Sequence, residues 1–282
     1  MTRRLFCLGA GYSARALARR LLAEGWTVAG TARSERGVAA LAAEGIAGHL
    51  FDRSRPLDPA VFAGSTYVLV SVPPDEAGDP ALDIHGADVA GLPGLCWLGY
   101  LSTTGVYGDR GGAFVDETDE TRPASPRGRR RVEAEEGWRA RVAATHVFRL
   151  AGIYGPGRSQ IDSVRDGTAK RTFKEGQVFS RIHVDDIAAV LAASIARPRP
   201  GAIYNVCDDE AAAPWEVVEY ACRLLGAPLP PLVPLEEANL SEMGRSFYAE
   251  NKRVSNRLLH EELGVTLRFP TYREGLAALA KD

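Results

Sequence analysis

The sequence predicts an α/β fold: a doubly wound parallel sheet with helices on both faces, plus a smaller C-terminal lobe. Three observations predict it. Short apolar runs alternate with segments of helical spacing as far as Leu150, the mark of repeated strand–helix–strand units. A glycine-rich turn, Gly9-Ala10-Gly11, joins the first run to the first helical segment. Beyond Leu150 the alternation loses its regularity, which places a second, different unit there.

The elements follow in order. Leu5 to Leu8 is a short apolar run ending in glycine, a buried strand. Ser13 to Glu24 carries Ala14, Leu17, Ala18, Leu21 and Leu22 at helical spacing and stops at Gly25. Trp26 to Thr31 is a second strand, Glu35 to Glu44 a second helix closed by Gly45, and Gly48 to Phe51 a weak third strand. Tyr67 to Val72, Leu95 to Ser102 and His146 to Leu150 are the fourth, fifth and sixth strands. The proline-bounded stretch Pro73 to Gly94 leaves room for a short helix near Ala81 to Val89. Arg127 to Val142 reads as a longer helix with Ser125 as N-cap and Pro126 in its first turn. Further on come a loop at Gly155-Pro156-Gly157, a helix at Val184 to Ile195, a strand at Ala202 to Val206 and a last helix near Tyr272 to Leu279. Pro228 to Pro234 is a proline-rich connector.

At 282 residues, 45% hydrophobic and 25% charged, the chain has the composition of an ordinary globular protein with a sizeable core. A net charge of −2 gives no global field for nucleic acid or an anionic membrane surface. No apolar run approaches the roughly 18 residues of a membrane-spanning helix. Arg15, Arg19 and Arg20 interrupt the apolar N-terminus, so it does not form a signal-peptide core. Cys7, Cys96, Cys207 and Cys222 are widely spaced; they read as reduced core thiols rather than metal ligands. A cytoplasmic protein is the expectation, with no metal site.

Gly9-Ala10-Gly11-Tyr12-Ser13-Ala14 stands where a strand turns into a helix. Gly9 permits the tight turn, Gly11 lets backbone approach a pyrophosphate, and small Ala14 allows close helix–strand packing. The helix N-terminus, at Tyr12 and Ser13, supplies amides and the positive end of a dipole. This makes the fold Rossmann-type. The first side chains beyond the second strand are Arg33 and Ser34, with Arg36 close by, where an NAD-preferring site would carry an acid. A guanidinium suits the extra phosphate of NADP, so NADP(H) is the expected cofactor, with NAD(H) the alternative. Asp52, just past the third strand, is placed to accept from an adenine amino group, or to serve as a turn acid. Ser71, Val72 and Pro73 should border the cofactor at the carboxyl edge of the sheet.

Several further motifs resemble the extended short-chain dehydrogenase/reductase (SDR) family, also called NAD-dependent epimerase/dehydratase proteins. They are Thr103-Thr104-Gly105-Val106-Tyr107-Gly108; Ile153-Tyr154-Gly155-Pro156-Gly157-Arg158; Arg181-Ile182-His183-Val184-Asp185-Asp186; Tyr204-Asn205-Val206; and Lys252-Arg253-Val254 with Glu262-Leu263-Gly264. Their order and number cover nearly the whole chain and look most like atypical members. The resemblance implies a dinucleotide-binding core at residues 1–153, joined by 177–206. It leaves 154–176 and 207–282 to a smaller substrate-binding lobe. It makes Thr103 the hydroxyl facing a substrate carbonyl or alcohol. It aligns Arg127 and Arg131 with the family's Tyr, which carries the proton, and its Lys, which holds the nicotinamide ribose. Family dimers commonly pair two long helices, the first of which is short here, so a monomer or a homodimer is expected.

Arginine cannot take over that tyrosine's proton step, because its pKa exceeds about 12. Arg131 can still bond ribose hydroxyls. No other tyrosine lies between Tyr107 and Tyr154. Arg127, Arg129, Arg130 and Arg131 open a helix against its dipole, at a cost of about 0.3–1 kcal/mol each when exposed. Two readings follow: a solvated face with Arg129–Glu133 and Arg131–Glu135 pairs, or an anion grip by Arg127 and Arg131. Tyr107 and Tyr154 are the nearest substitutes for the missing acid, although Tyr107 equally suits packing. His183 suits a structural link between lobes. The sequence therefore predicts an oxidoreductase or epimerase/dehydratase-type enzyme on a small, anionic or nucleotide-sugar-like metabolite. The alternative is an inactive NADP(H)- or metabolite-binding sensor.

Overall fold

The computed structural model describes residues 3–281. Seven strands form the main sheet: β1 (Arg4–Leu8), β2 (Thr27–Ala32), β3 (Ala47–Leu50), β4 (Tyr67–Val70), β5 (Trp97–Thr103), β6 (Thr145–Leu150) and β7 (Ile203–Val206). Every neighbouring pair is parallel, in the order β7-β6-β5-β4-β1-β2-β3. That is the doubly wound arrangement, whose direction reverses between β1 and β4 and opens a crevice at the strands' carboxyl ends.

Alternation along each strand feeds two cores. Leu5 and Cys7 of β1, Leu69 of β4, and Trp97 and Leu101 of β5 face one side. They meet helix α1 (Tyr12–Ala23), through Leu17 and Leu21, and Leu41 of helix α2 (Glu35–Ala43). Phe6, Leu8, Val68, Val70, Leu98 and Tyr100 face the other side. There they meet Val89 of helix α3 (Pro80–Ala90) and Ala134 and Trp138 of helix α4 (Pro126–Arg141). Strands buried on both faces read as continuous apolar runs, which is why the sequence located them. Helix α5 (Val184–Ala196), apolar almost all round, joins the first core beside α1.

The C-terminal lobe has its own apolar cluster. Helix α6 (Pro214–Leu225) contributes Val217 and Ala221, and helix α7 (Tyr272–Leu279) contributes Tyr272, Leu276 and Leu279. The sequence reading passed over α6. Its signals were present: Pro214 in the first turn and a left-handed Gly226 at its end. The expectation that Cys96 lies in the core is also corrected. Cys7, Cys207 and Cys222 are buried, but Cys96 is exposed, at the amino-terminal rim just ahead of β5. No helix of the described residues is long and apolar enough to cross a membrane, and none of their His, Cys, Asp and Glu groups could hold a metal.

One joint between sheet and lobe carries a penalty. Asp208, just beyond β7, is 3% exposed, and neither carboxyl oxygen meets a donor among the described residues. Burial pushes its pKa up to about 8, against the pull of nearby Arg181. A carboxyl raised in the folded state favours folding most below its ordinary pKa, and that contribution is lost as pH rises towards 8. Asp208→Asn should therefore raise the melting temperature at pH 9 and give a shrinking gain towards pH 5. Thermal melts across that window check the slope; a pH-independent difference would contradict it.

Candidate active site

The crevice starts from the turn after β1. Gly9 has φ +87°, and a Cβ there would lie 2.9 Å from the Val72 nitrogen, so only glycine fits. The Gly9 amide donates to Thr31 Oγ1 (2.7 Å), and the Ala10 amide to the Thr31 carbonyl (2.8 Å). The Ser71 hydroxyl donates to the Gly9 carbonyl. The turn is thus tied to the ends of β2 and β4. Thr31 was not foreseen; a small hydroxyl residue two before Arg33 was its only signal. Gly11 caps α1 without a side chain, and a Cβ built on it meets nothing within 4 Å. No acid stands in the first turn of α1. Ser13 and Ala14 are buried, at 6% and 1% exposure, so the helix start is pinned close to the sheet. An open glycine backbone over an uncapped helix N-terminus fits a pyrophosphate. Pro73 follows Ser71 and Val72 in the segment after β4.

Beyond β2, Arg33 and Arg36 are exposed, and neither guanidinium has a hydrogen-bond or ion-pair partner among the described residues. Ser34 caps α2, accepting from the Gly37 amide (3.2 Å). Asp52 has local work: it accepts from the Ser54 amide (2.9 Å) and hydroxyl (2.6 Å) and from Arg55. The Arg55 and Ser54 bonds hold its pKa down at about 2. Of its two sequence readings, the turn acid is the one whose partners are in place. Arg55 also donates to the Arg33 carbonyl (2.9 Å) and so sets the backbone below Arg33. Arg53 joins the neighbouring loops, bonding both oxygens of Asp75 (2.6 and 2.9 Å) and Asp83 (2.7 Å).

At the other end of the crevice, Thr103 ends β5 and caps a short turn, its Oγ1 accepting from the Gly105 amide (3.1 Å). Its hydroxyl hydrogen is left for another acceptor. Gly128 of α4 packs beside this turn; a Cβ there would lie 3.2 Å from the Gly105 carbonyl. Arg127, in the first turn of α4, is exposed, with its guanidinium carbon 5.3 Å from the ring of Phe247 in the C-terminal lobe. Arg131, one turn on, is half-buried and donates to the Leu101 carbonyl (2.7 Å) and the Tyr100 hydroxyl (3.1 Å). The two side chains do not form one grip. The expected Arg129–Glu133 and Arg131–Glu135 pairs are also absent among the described residues: Arg129 donates to the Ala124 carbonyl (3.1 Å), and Glu135 turns inward.

Glu135 pairs with Arg149 of β6 (2.8 Å), both side chains 5% exposed. The Ser102 hydroxyl donates to Glu135. Arg149 also donates to the Tyr107 hydroxyl (3.0 Å), which donates to Asn205 Oδ1 (2.7 Å). Tyr107 is fully buried, and burial pushes its pKa up to about 12. Of the two sequence readings of Tyr107, the packing role is the one whose partners are in place: its hydroxyl is committed on both sides. Tyr154 does no better. It is 7% exposed and its hydroxyl, its pKa also raised by burial, points to the Thr271 carbonyl (3.4 Å). His183 caps α5, its Nδ1 accepting from the Asp185 amide (3.1 Å). A separate shallow cavity, lined by Leu92, Cys96, Arg141 and Pro200 among others, lies at the opposite rim of the sheet and takes no part in this site.

This sheet order and crevice define the class: the Rossmann-type fold shared by NAD-dependent epimerase/dehydratase and extended SDR proteins. The chain resembles UDP-glucose 4-epimerase of Thermotoga maritima in complex with UDP-glucose, at a TM-score of 0.79 and 16% identity over 99% of this chain and 98% of that one. It also resembles DesIV, a dTDP-glucose 4,6-dehydratase of Streptomyces venezuelae with NAD bound, at 0.79 and 18% over 99% and 96%. At these identities the likeness shows the fold alone. More particularly, a functionally unknown conserved protein from Silicibacter pomeroyi has a TM-score of 0.93 and 50% identity, covering 99% of both chains, and this chain belongs to its family. Protein YeeZ of Escherichia coli K12 is 29% identical over 93% of this chain and 95% of its own length. No family model matches the chain.

Glu135→Gln leaves Arg149 buried without its counter-charge and should destabilise the fold by about 3–5 kcal/mol in urea denaturation. Tyr107→Phe should cost about 2 kcal/mol through its two orphaned partners, and leave dinucleotide affinity unchanged. A loss of ligand binding in Tyr107→Phe at full stability would restore that hydroxyl to the site.

Proposed function

We propose that this chain binds NADP(H) and acts as an oxidoreductase or epimerase/dehydratase-type enzyme on a small anionic metabolite, without a protein tyrosine as acid or base. The observation that carries the cofactor reading is the open Gly9–Gly11 turn feeding an uncapped α1, with no acid in its first turn. The unpartnered Arg33 guanidinium, next to the α2 cap at Ser34, favours the 2′-phosphate of NADP over the bare ribose of NAD. The bound nicotinamide would supply or accept hydride.

This chain's residues supply the rest. Thr103 donates a hydrogen bond to the substrate oxygen, its own oxygen being held by the Gly105 amide. Arg127 faces the same oxygen with a fixed positive charge, and stabilises an alkoxide without transferring a proton. Arg131, anchored at the Leu101 carbonyl, lines the floor where the cofactor ribose would lie. The proton comes from water at the exposed end of Arg127. A nucleotide sugar or another phosphate- or carboxylate-bearing metabolite suits that charge, and UDP-glucose in the Thermotoga epimerase shows one such ligand in this fold.

A second reading has its own support. Both candidate tyrosines, Tyr107 and Tyr154, are buried and hydrogen-bonded elsewhere, so a sensor that binds NADP(H) without turnover would keep every other feature of the site.

Direct titration with NADPH and NADH is expected to show tighter NADPH binding, and Arg33→Ala to reduce that preference about tenfold or more. Equal affinities in both proteins would remove the NADP assignment. With a metabolite panel and absorbance at the NADPH band, Arg127→Ala should lower turnover by about 10²–10³-fold. Turnover should show no break from a tyrosine ionisation. NADPH binding with no turnover on any carbonyl metabolite would favour the sensor.

A further inference from the structure

The segment Gly155–Arg158 leaves the sheet at β6 and comes back against the start of α1. The Tyr12 hydroxyl donates to the Pro156 carbonyl (3.0 Å). A Cβ at Gly155, where φ is +155°, would lie 2.5 Å from that hydroxyl and 2.7 Å from Val184 Cγ1, so this approach requires glycine. The loop is closed on itself by two backbone bonds, Gly155 amide to Arg158 carbonyl (3.2 Å) and Arg158 amide to Gly155 carbonyl (3.0 Å). Ser159 and Asp162 then form a capping box that fixes the exit. The backbone of Arg158 is therefore held in place, and its guanidinium carbon lies 5.9 Å from the centre of the Tyr12 ring.

Tyr12 is the first residue of α1, directly after the open Gly11. A dinucleotide pyrophosphate at that helix end carries about two negative charges, and a helix terminus offers only about half a positive one. A nearby cation would add to what the amides and the dipole supply. The basic residues of α1 itself are engaged elsewhere: Arg15 and Arg19 with Glu44 at the end of α2, and Arg20 with Glu24. Arg158 is exposed and has no hydrogen-bond or ion-pair partner for its side chain among the described residues. The nearby carboxylates are engaged. Asp162 accepts from the Ser159 amide (2.7 Å) and hydroxyl (2.5 Å), and Asp185 lies 3.8 Å from His183 and 3.5 Å from Arg268.

We propose that Arg158 binds the pyrophosphate of the dinucleotide, so that the loop after β6 closes the cofactor site from the side opposite the glycine turn. This rests on the dinucleotide reading above and adds a residue to it. Its charge acts on a group common to NADH and NADPH, whereas Arg33 acts on the 2′-phosphate of NADPH alone.

The test is equilibrium titration of the full chain with NADPH and with NADH, using wild type, Arg158→Ala, Arg158→Lys and Arg33→Ala. Arg158→Ala is expected to weaken both ligands by a similar factor, about tenfold or more, with its melting temperature unchanged because the side chain is exposed. Arg158→Lys should recover part of that loss. Arg33→Ala should weaken NADPH alone. The affinity of wild type for NADH should fall more steeply with added salt than that of Arg158→Ala, a readout that a merely structural loop residue would not move. If wild type binds both ligands and Arg158→Ala binds them equally well, the assignment of Arg158 is overturned and the dinucleotide site stands. If wild type binds neither, the dinucleotide reading falls and this assignment with it.

Discussion

Glu135 and Arg149 form an ion pair with almost no access to water, and the β5–α4 end of the crevice hangs from it. Glu135 belongs to α4, Arg149 to β6. Ser102 at the end of β5, Tyr107 in the following turn and Asn205 in β7 all bond to one member of the pair or to each other through Tyr107. Two buried charges are tolerated only when geometry and further hydrogen bonds compensate their lost hydration. Here the compensation consists of side chains from two strands and one turn, Ser102, Asn205 and Tyr107. The network therefore fixes where α4 begins relative to the Thr103 turn, and so where Arg127 and Arg131 stand.

That constraint gives the arginine-rich start of α4 a different meaning from the one its sequence suggests. Four cations near a helix N-terminus read as a single patch, either solvated or gripping one anion. In the folded chain they part. Arg131 goes down to the Leu101 carbonyl, Arg129 back to the Ala124 carbonyl, and Arg127 out to the ring of Phe247. Neither Arg127 nor Arg130 has a hydrogen bond or ion pair among the described residues. On the proposed reading, charge at one position, rather than a doubled guanidinium, faces the substrate.

The sheet was legible because buried parallel strands are apolar on both faces, and the glycine turn because Gly9 and Gly11 have no substitute at a strand–helix junction. Ser125 and Pro126 marked the start of α4 correctly. Less legible were the features that depend on distant partners. Nothing local in Glu135 says that it pairs with Arg149 rather than Arg131; four residues of spacing on one helix argued the opposite. Tyr107 has the right neighbours in sequence for a site residue, but its exposure is set by Arg149 and Asn205, far along the chain. Helix α6 was missed although its face is regular, because its residues follow the irregular Asp208–Ala213 stretch and pack only on the C-terminal lobe.

The central claim is that this fold holds a dinucleotide along the Gly9–Gly11 turn with an arginine, not a tyrosine, at the reacting end. A crystal structure of the chain soaked with NADPH tests it most directly. The account predicts the pyrophosphate against the amides of Tyr12 and Ser13 and the nicotinamide beside Thr103 and Arg127. Tyr107 should remain bonded to Asn205 and Arg149. A dinucleotide seated elsewhere, or a tyrosine hydroxyl brought to hydrogen-bonding distance of the nicotinamide ribose, would contradict it.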